Sequence, residues 1–250
     1  MEIFAVDGIP EIQPGDNIPH HVEKNIELIE GDVILIASTI VSKSEGRAAN
    51  LSDFSPSPRA NSIASSLESL TGKPKDPRFA QAVLDESSEI LLDKPFLLCK
   101  THFGHICVNA GIDRSNTGSH DLLLLPINPS NSALELKKQF SPNVSVIITD
   151  TCGRPFRYGQ VGVAIGWAGI SAHRDWRGTY DLQGYELEVT LECIVDELAS
   201  AANLLMGEGN GGTPVVVIRG WEFGPFPENI DLFRKPEDDV IRKTLRRWNS

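Results

Sequence analysis

The sequence lacks several short motifs that mark familiar enzyme classes. It contains no Gly-x-x-x-x-Gly-Lys-Ser/Thr stretch, which excludes a P-loop, and no Gly-x-Ser-x-Gly stretch of the kind that presents a serine nucleophile. No Cys-x-x-Cys pair occurs among its 4 cysteines, and no His-x-x-x-His pair among its 6 histidines. Zinc-binding and thioredoxin-like sites therefore have no support.

Positive charge and long apolar runs are also scarce. Only 23 Lys and Arg stand against 34 Asp and Glu, and the resulting net charge of −11 disfavours a nucleic-acid partner. No stretch approaches the ~20 apolar residues of a membrane span. The first residues show no basic region followed by an apolar run, which argues against a signal peptide. We therefore expect a cytoplasmic protein without a membrane partner, whose cysteines are reduced thiols.

Short apolar runs alternate with helical patterns along the 250 residues. Buried strands are predicted at 33–37, 96–99, 144–148 and 215–218. Helices are predicted at 59–70, 78–87, 132–139, 186–206 and 236–248. The mixture predicts α/β or α+β layers, arranged as one domain over 1–250 or as two subdomains whose boundary stays open. The segment 221–236 carries no motif.

Three carboxylates lie in turn-like sequence beside the apolar runs. Asp113 follows Asn109-Ala110-Gly111-Ile112, Asp150 follows the strand that ends at Ile148, and Glu208 lies in the glycine-rich segment 207–212. Strand ends and glycine loops are places where a scaffold presents functional groups. Oxygen donors of this kind suit hard cations such as Mg²⁺ or Mn²⁺. Each acid taken alone is more often a turn residue or a helix cap than a metal ligand.

The glycine-rich segment has an order unlike that of the dinucleotide-binding fingerprint. It follows a predicted helix and precedes a strand, whereas the fingerprint runs from strand to glycine turn to helix. A helix C-terminus with Glu208 added favours a cation, so we expect this loop to meet a nucleotide through metal or through its later N–H groups. In the segment 42–47, Lys43 is a candidate phosphate contact and Arg47 a candidate brace for a carboxylate or phosphate.

Five segments together resemble the coenzyme F420-0:L-glutamate ligase family. They are 8–12, 42–47, 109–116, 148–154 and 206–212, and they occur in the family's order over 8–220. The resemblance implies an α/β (α+β) fold of two intertwined subdomains, distinct from Rossmann and P-loop enzymes, and a homodimer. It also implies GTP, L-glutamate and coenzyme F420-0 as substrates, two divalent ions, Mg²⁺ or Mn²⁺, and leaves K⁺ open as a further cation.

The resemblance also assigns residues to the site. Those that fall where the family binds divalent metals are Asp113, Asp150, Thr151 and Glu208. Those that fall where it holds nucleotide are Ile9, Pro10, Glu11, Ile12, Ser38, Thr39, Lys43, Asn116, Met206, Gly207, Glu208, Gly209, Asn210, Gly211, Gly212 and Thr213. The catalytic candidates are Lys43, Asp113 and Asp150, because phosphoryl transfer depends on charge neutralisation and positioning.

The implied reaction forms an amide. A substrate carboxylate attacks the γ-phosphate of GTP to give an acyl phosphate, and the amine of glutamate then displaces phosphate. A further γ-linked glutamate can follow the first. Two alternatives stay open at this point: a ligase that adds glutamate to a folate-type pterin, and a nucleotide-binding module without turnover. The sequence reports neither the acceptor nor the number of glutamates added.

Overall fold

The computed structural model describes residues 1–221 and 231–248, with side chains to 245. The strands are β1 (Glu2–Ala5), β2 (Val33–Ala37), β3 (Ala48–Ala49), β4 (Ser87–Leu92), β5 (Leu98–Thr101), β6 (Ile106–Val108), β7 (Leu122–Leu123), β8 (Ser145–Gly153), β9 (Gln160–Ala168), β10 (His173–Asp175), β11 (Leu191–Cys193) and β12 (Val215–Arg219). The helices are α1 (Ile18–Asn25), α2 (Ser38–Ser44), α3 (Pro58–Thr71), α4 (Pro77–Asp85), α5 (Pro129–Gln139), α6 (Ile194–Met206) and α7 (Val240–Trp248).

The chain divides into two compact units. Unit 1 comprises 1–44 and 128–232, and unit 2 comprises 45–127 and 233–250. Helices and several sheets are mixed in the chain, which confirms the predicted α/β class. Within the described ranges, no helix combines the length and apolar character that crossing a membrane requires.

Unit 1 is built on a five-stranded sheet in the order β1-β12-β2-β8-β9. Only β2 and β8 pair in parallel, and the other neighbours are antiparallel. This mixed sheet differs from the mostly parallel sheet of a Rossmann domain, as predicted. The central strand β2 is a continuous apolar run because both of its faces are covered.

Helix α6 packs on one face of this sheet. Its side chains Ile194, Val195 and Leu198 join a buried cluster with Leu35 of β2 and Ile147 of β8. The opposite face is covered by α2 and α5, which pack against β8. Burying the large apolar side chains of both faces stabilises the sheet by roughly 1.5–3 kcal/mol for each one.

A bulge in the pairing of β8 with β9 reverses the side of the sheet toward which alternate residues of β9 point. Ile148 pairs with Gly166, but the next residue, Thr149, pairs with Ala164. A Cβ added at Gly162 would lie 2.4 Å from the carbonyl oxygen of Ala199 in α6, while one at Gly166 would lie 2.3 Å from a backbone atom of α5. The two glycines therefore allow helices to approach β9 closely from opposite sides.

Unit 2 contains the three-stranded sheet β4-β5-β6 and the short pair β3-β7. Helices α3 and α4 contribute Ile63 and Val83 to a buried cluster that includes Cys99 of β5 and Leu122 of β7. Cys99 and Cys107 are opposite each other in the backbone register of β5 and β6, and they do not form a disulfide.

The helix starts follow a repeated local pattern. Ser57, Asp76 and Asn128 each accept a backbone N–H with the side chain, and a proline follows each of them at the first helical position. The side-chain oxygen satisfies an N–H that the helix leaves unpaired, and proline lacks that N–H and fits the helical φ. Helices α3, α4 and α5 therefore begin at proline, one to three residues before the predicted starts at 59, 78 and 132.

Three of the predicted helices were wrong at one end. The helix expected at 186–206 begins only at Ile194, because the segment 176–190 forms a loop with antiparallel backbone pairing. In this loop Gly178 donates to the Leu187 carbonyl at 2.9 Å, and Leu187 donates to the Thr179 carbonyl at 2.8 Å. The helix expected at 236–248 begins at Val240. The helix expected at 78–87 ends at Asp85, and β4 already starts at Ser87.

Arg242 of α7 is a basic residue that is buried rather than solvated. Its side chain is 4% exposed and forms an ion pair with Glu89 of β4. Helical charge patterns do not report a buried partner on another element, so this ion pair is not predictable from the pattern of α7 alone. The segment 221–236, for which no motif was found, includes 222–230, which lies outside the described residues.

We predict that Gly162→Ala destabilises the protein, because the new methyl group would meet the backbone of α6 at 2.4 Å. Overpacking of this kind costs about 1–3 kcal/mol. Urea unfolding should show a lower midpoint than the wild type. Gly153→Ala is the matched control, since its Cβ would meet nothing within 4 Å and its φ is not positive. Equal midpoints for both variants would contradict the close approach of α6.

Candidate functional site

Strand directions in unit 1 bring three distant segments to one edge of the sheet. β1 and β12 are antiparallel, and so are β12 and β2, so the ends of β1 and β2 meet the start of β12. The N–H of Val6 donates to the carbonyl of Val215 at 2.9 Å, and that of Ala37 donates to the carbonyl of Pro214 at 2.9 Å. We call this border, marked by Val6, Ala37 and Pro214, the Ala37 edge.

Strand β8 adds a fourth segment. Thr149 is the parallel partner of Ala37, so Asp150 and Thr151 follow directly after the Ala37 edge. The buried Ser38 hydroxyl donates to Oδ1 of Asp150 at 3.3 Å. Thr149 lies 3.8 Å from the sulfur of Met206, which places the end of α6 beside the same strand.

Lys43 and the loop after β1 are in direct contact. Nζ of Lys43 lies 2.5 Å from Oε1 of Glu11, and the side chains are 12% and 66% exposed respectively. The same loop is fixed to α2, since Gly15 donates to the Ser44 carbonyl at 2.8 Å. An ion pair with one exposed partner contributes about 0–1 kcal/mol, so another anion can compete for Lys43 at small cost.

The glycine-rich loop 207–213 joins α6 to β12. Gly207 and Gly212 have φ of 68° and 66°, a region that strongly favours glycine. A Cβ at Gly209 would meet nothing within 4 Å. The carboxylate of Glu208 is held in place, because Nδ2 of Asn203 donates to its Oε1 at 2.9 Å. The predicted order of helix, glycine turn and strand is confirmed.

Asp113 and Asn116 belong to unit 2, whereas Asp150 and Glu208 belong to unit 1. The backbone of Asp113 pairs with Leu123, and its carboxylate accepts from the N–H of Ser115 at 2.7 Å and from its hydroxyl at 2.8 Å. Asn116 has a φ of 53° and is exposed. The carboxylate of Asp113 is thus oriented by its own turn.

The predicted metal ligands in unit 1 are all oxygen donors. Asp150 and Thr151 lie at the Ala37 edge, and Glu208 lies in the loop that enters it. Carboxylate and hydroxyl oxygens fit Mg²⁺ or Mn²⁺ rather than a soft metal. In the part of the chain that the structure describes, no group of three or more His, Cys, Asp or Glu side chains is arranged to hold a metal ion. The ligand assignments therefore stay predictions.

Two partly buried cysteines of unit 1, Cys152 and Cys193, are poor nucleophiles. Burial raises the pKa of the Cys152 thiol above its ordinary value, and the charges of Asp150 and Asp196 raise it further. Burial, with Asp196, raises the pKa of Cys193 to about 12. Because the thiolate is the reactive form, both side chains stay neutral near pH 7.

Two contacts escaped the interpretation of the sequence. Asn203 orients Glu208 from the last turn of α6, and Arg47 forms an ion pair with Glu86 at 2.6 Å. Arg47 was expected to brace a carboxylate or phosphate, but no pattern identified the partner. Asn203 and Arg47 each stand close to a recognised motif in the sequence, but that position does not identify the residue that they contact.

Comparison with known proteins gives a consistent result. The F420-0:Gamma-glutamyl ligase family matches residues 8–220. A "Coenzyme F420:L-glutamate ligase" of Halorubrum lacusprofundi is 55% identical over 248 residues, covering 99% of this chain and 98% of the relative. Proteins of the same name from Archaeoglobus fulgidus and Methanosarcina barkeri are each 48% identical, over 251 and 252 residues. They cover 99% and 98% of this chain, and 98% and 96% of their own lengths.

The matched region contains the loop after β1, α2, the Asp113 turn, β8 and the glycine-rich loop. The resemblance inferred from five short segments is therefore confirmed over most of the chain. The chain belongs to the F420-0:gamma-glutamyl ligase family.

Proposed function

We propose that this protein is a GTP-dependent ligase that adds L-glutamate, and then a further γ-linked glutamate, to coenzyme F420-0. GDP and phosphate are the other products. The proposal is supported by membership of the family and by the names of the relatives, which specify coenzyme F420 and L-glutamate. Those names favour a deazaflavin acceptor over a folate-type pterin and favour turnover over a module that only binds nucleotide.

The observation that carries the proposal is the convergence of four segments at the Ala37 edge. The loop 8–12, the start of α2 and the Asp150 turn are far apart in sequence and lie after Ala5, Ala37 and Thr149 of one sheet, and the loop 206–213 leads into β12 of the same sheet. Such an arrangement presents backbone N–H groups, a lysine and carboxylates to one ligand. These are the parts that phosphoryl transfer needs, because its catalysis depends on positioning and charge neutralisation.

Lys43 neutralises phosphate charge in this proposal. When the nucleotide binds, the ammonium group of Lys43 exchanges its ion pair with Glu11 for a contact with a phosphate oxygen. A phosphate group carries more negative charge than a carboxylate, which favours the exchange. The glycine-rich loop approaches the nucleotide closely, since Gly209 has no side chain to prevent it. Ser38 holds Asp150 in place by a hydrogen bond from a buried position.

Two divalent ions, Mg²⁺ or Mn²⁺, with K⁺ as a further candidate, would be held by oxygen donors in each unit: Asp150, Thr151 and Glu208 in unit 1, and Asp113 in unit 2. When bound, such ions neutralise the charge that develops on the transferring phosphoryl group. Asn203 keeps Glu208 oriented, and Ser115 keeps Asp113 oriented. Asp113 and Asp150, with Lys43, are the residues to which we assign catalytic roles.

The chemistry proceeds in two steps through an acyl phosphate, without a covalent bond between substrate and enzyme. A carboxylate oxygen of coenzyme F420-0 bonds to the γ-phosphorus of GTP, and the bond to GDP breaks. The glutamate amine, having lost a proton, then attacks the acyl carbon, and phosphate leaves with its electron pair. Cys152 lies next to the Asp150 turn, but its raised pKa keeps it from serving as a covalent nucleophile.

We also propose a homodimer in the cytoplasm. Among the described residues of unit 1, several apolar side chains at 154–159 and 176–190 are strongly exposed. They include Phe156 at 102%, Leu182 at 100% and Val189 at 85%. Exposed apolar clusters commonly mark interfaces, and two-fold dimers are the commonest soluble oligomers. Cys99 and Cys107 are adjacent across β5 and β6 without forming a disulfide, which is consistent with a reducing compartment.

We predict that Lys43→Ala raises the KM for GTP by roughly tenfold or more, because a charge-assisted contact to phosphate is lost. The KM for glutamate should change little. Steady-state GDP release measures both values. Lys24→Ala is the matched control, since Lys24 also lies in the last turn of a unit 1 helix but is exposed. A raised KM for glutamate with an unchanged KM for GTP would show that Lys43 serves the other substrate.

We predict that oxygen-18 placed in the carboxylate of coenzyme F420-0 appears in the released phosphate, because that oxygen bonds to phosphorus in the acyl phosphate. Mass spectrometry of the phosphate measures the transfer, and Cys152→Ala should transfer the label equally well. Unlabelled phosphate, formed together with the amide product, would rule out the acyl phosphate.

A further inference from the structure

A pocket within unit 2 is lined by residues that were assigned neither to the nucleotide nor to the metal ions. It is bounded by Arg47, the end of α4, the turn between β5 and β6, and the segment after β7. Its lining residues are Arg47, Glu86, Thr101, His102, Phe103, Ala110, Leu125, Pro126 and Ile127. All of them belong to unit 2.

The backbone fixes Arg47 against one wall of this pocket. β3 and β7 pair with Ala48 opposite Leu123, and Leu124 donates its N–H to the Arg47 carbonyl at 3.1 Å. Nε of Arg47 donates to the Leu125 carbonyl at 2.9 Å. These contacts hold the guanidinium group in one orientation, so it is preorganised to bind a carboxylate.

Opposite charges stand side by side in the pocket. Nη2 of Arg47 donates to Oε2 of Glu86 at 2.6 Å, and the two side chains are 17% and 23% exposed. Together with the Leu125 contact, this uses two of the five donors that a guanidinium group carries. The second oxygen of Glu86 can still accept. The pair therefore offers one anion-binding and one cation-binding position at neighbouring points.

Two neutral groups add directional contacts. Thr101 is 2% exposed, and its hydroxyl oxygen has no hydrogen-bond partner within the described structure. This oxygen is closed off from solvent, so it can meet a ligand only after rotation about the Cα–Cβ bond, which would break no hydrogen bond. Nε2 of His102 lies 2.9 Å from the Asp85 carbonyl. Since a carbonyl only accepts, this nitrogen carries a hydrogen, and in the tautomer with its hydrogen on Nε2 alone Nδ1 can accept.

The remaining wall is apolar. Ala110, Leu125 and Pro126 line the pocket, and the largely exposed Ile127 stands at its rim. A ligand that fits combines a carboxylate, an ammonium group close to it and a short aliphatic stem. A nucleotide phosphate fits poorly, because the carboxylate of Glu86 would repel it.

We propose that this pocket binds the α-amino acid substrate, L-glutamate. Arg47 binds the α-carboxylate, Glu86 and Nδ1 of His102 accept from the ammonium group, and the Thr101 hydroxyl completes the polar contacts. The apolar wall covers the methylene stem. The assignment of glutamate as the amino acid rests on the function proposed above, whereas recognition of an α-amino acid rests on the pocket itself.

The test is calorimetric titration of the whole protein, in the presence of GDP and Mg²⁺, with three probes. L-Glutamate carries all the groups, glutarate lacks the ammonium group, and 4-aminobutyrate lacks the α-carboxylate. The wild type should bind L-glutamate roughly tenfold or more tightly than either analogue, because a charged contact is lost with each.

Substitutions of the lining residues test each proposed contact separately. Glu86→Gln should lower the preference for L-glutamate over glutarate to near unity, and Arg47→Lys should lower the preference over 4-aminobutyrate. Thr101→Val should weaken L-glutamate binding without lowering the thermal midpoint, because the hydroxyl has no partner to lose. Glu68→Gln and Arg78→Lys are matched controls on exposed positions of unit 2 and should change neither preference.

Three outcomes would overturn the proposal: a wild type that binds none of the probes, preferences that stay unchanged in Glu86→Gln and Arg47→Lys, or an equal loss for all three probes. The last result would show that the ion pair only supports the fold. Failure of the proposed function would instead appear in the isotope experiment, which does not depend on these probe preferences.

Discussion

The position of β2 between an antiparallel and a parallel neighbour is the constraint on which unit 1 depends. Backbone pairing with β12 brings Pro214 to Ala37, and pairing with β8 brings Thr149 to the same residue. Because both faces of β2 are buried, its hydrogen bonds can only be satisfied by these strands. A shift of register by one residue would turn Leu35 away from α6 and would separate the loops that meet at the Ala37 edge.

Much of the framework follows from simple sequence patterns. The run 33–37 was predicted as a strand with the bounds that the structure shows, because a short continuous apolar run suits a strand covered on both faces. The antiparallel pairing within the loop 176–190 was not predicted, because Leu187 and Leu191 stand at helical spacing from the apolar residues of α6. The backbone of Leu187 pairs with Gly178 instead of continuing the helix, and the spacing of apolar residues does not reveal such a partner.

The candidate site was predictable as a set of segments rather than as a geometry. The segments around Ile9, Ser38, Asp150 and Gly207 share one edge, as a common site requires, while Asp113 lies in the other unit. The contacts that orient the acids, such as Asn203 with Glu208, come from neighbouring turns and carry no motif. Likewise, Arg47 and Glu86 meet only because α4 ends beside β3, which local patterns do not reveal.

The central claim is that nucleotide binds at the Ala37 edge, and photolabelling with 8-azido-GTP tests it most directly. Peptides that carry the label can be identified by mass spectrometry, with and without excess GTP as competitor. We expect labelled peptides from 8–12, 38–43 and 206–213, and we expect GTP to protect them. Saturable, GTP-protected labelling confined to other segments, such as 129–139 of α5, would contradict the account.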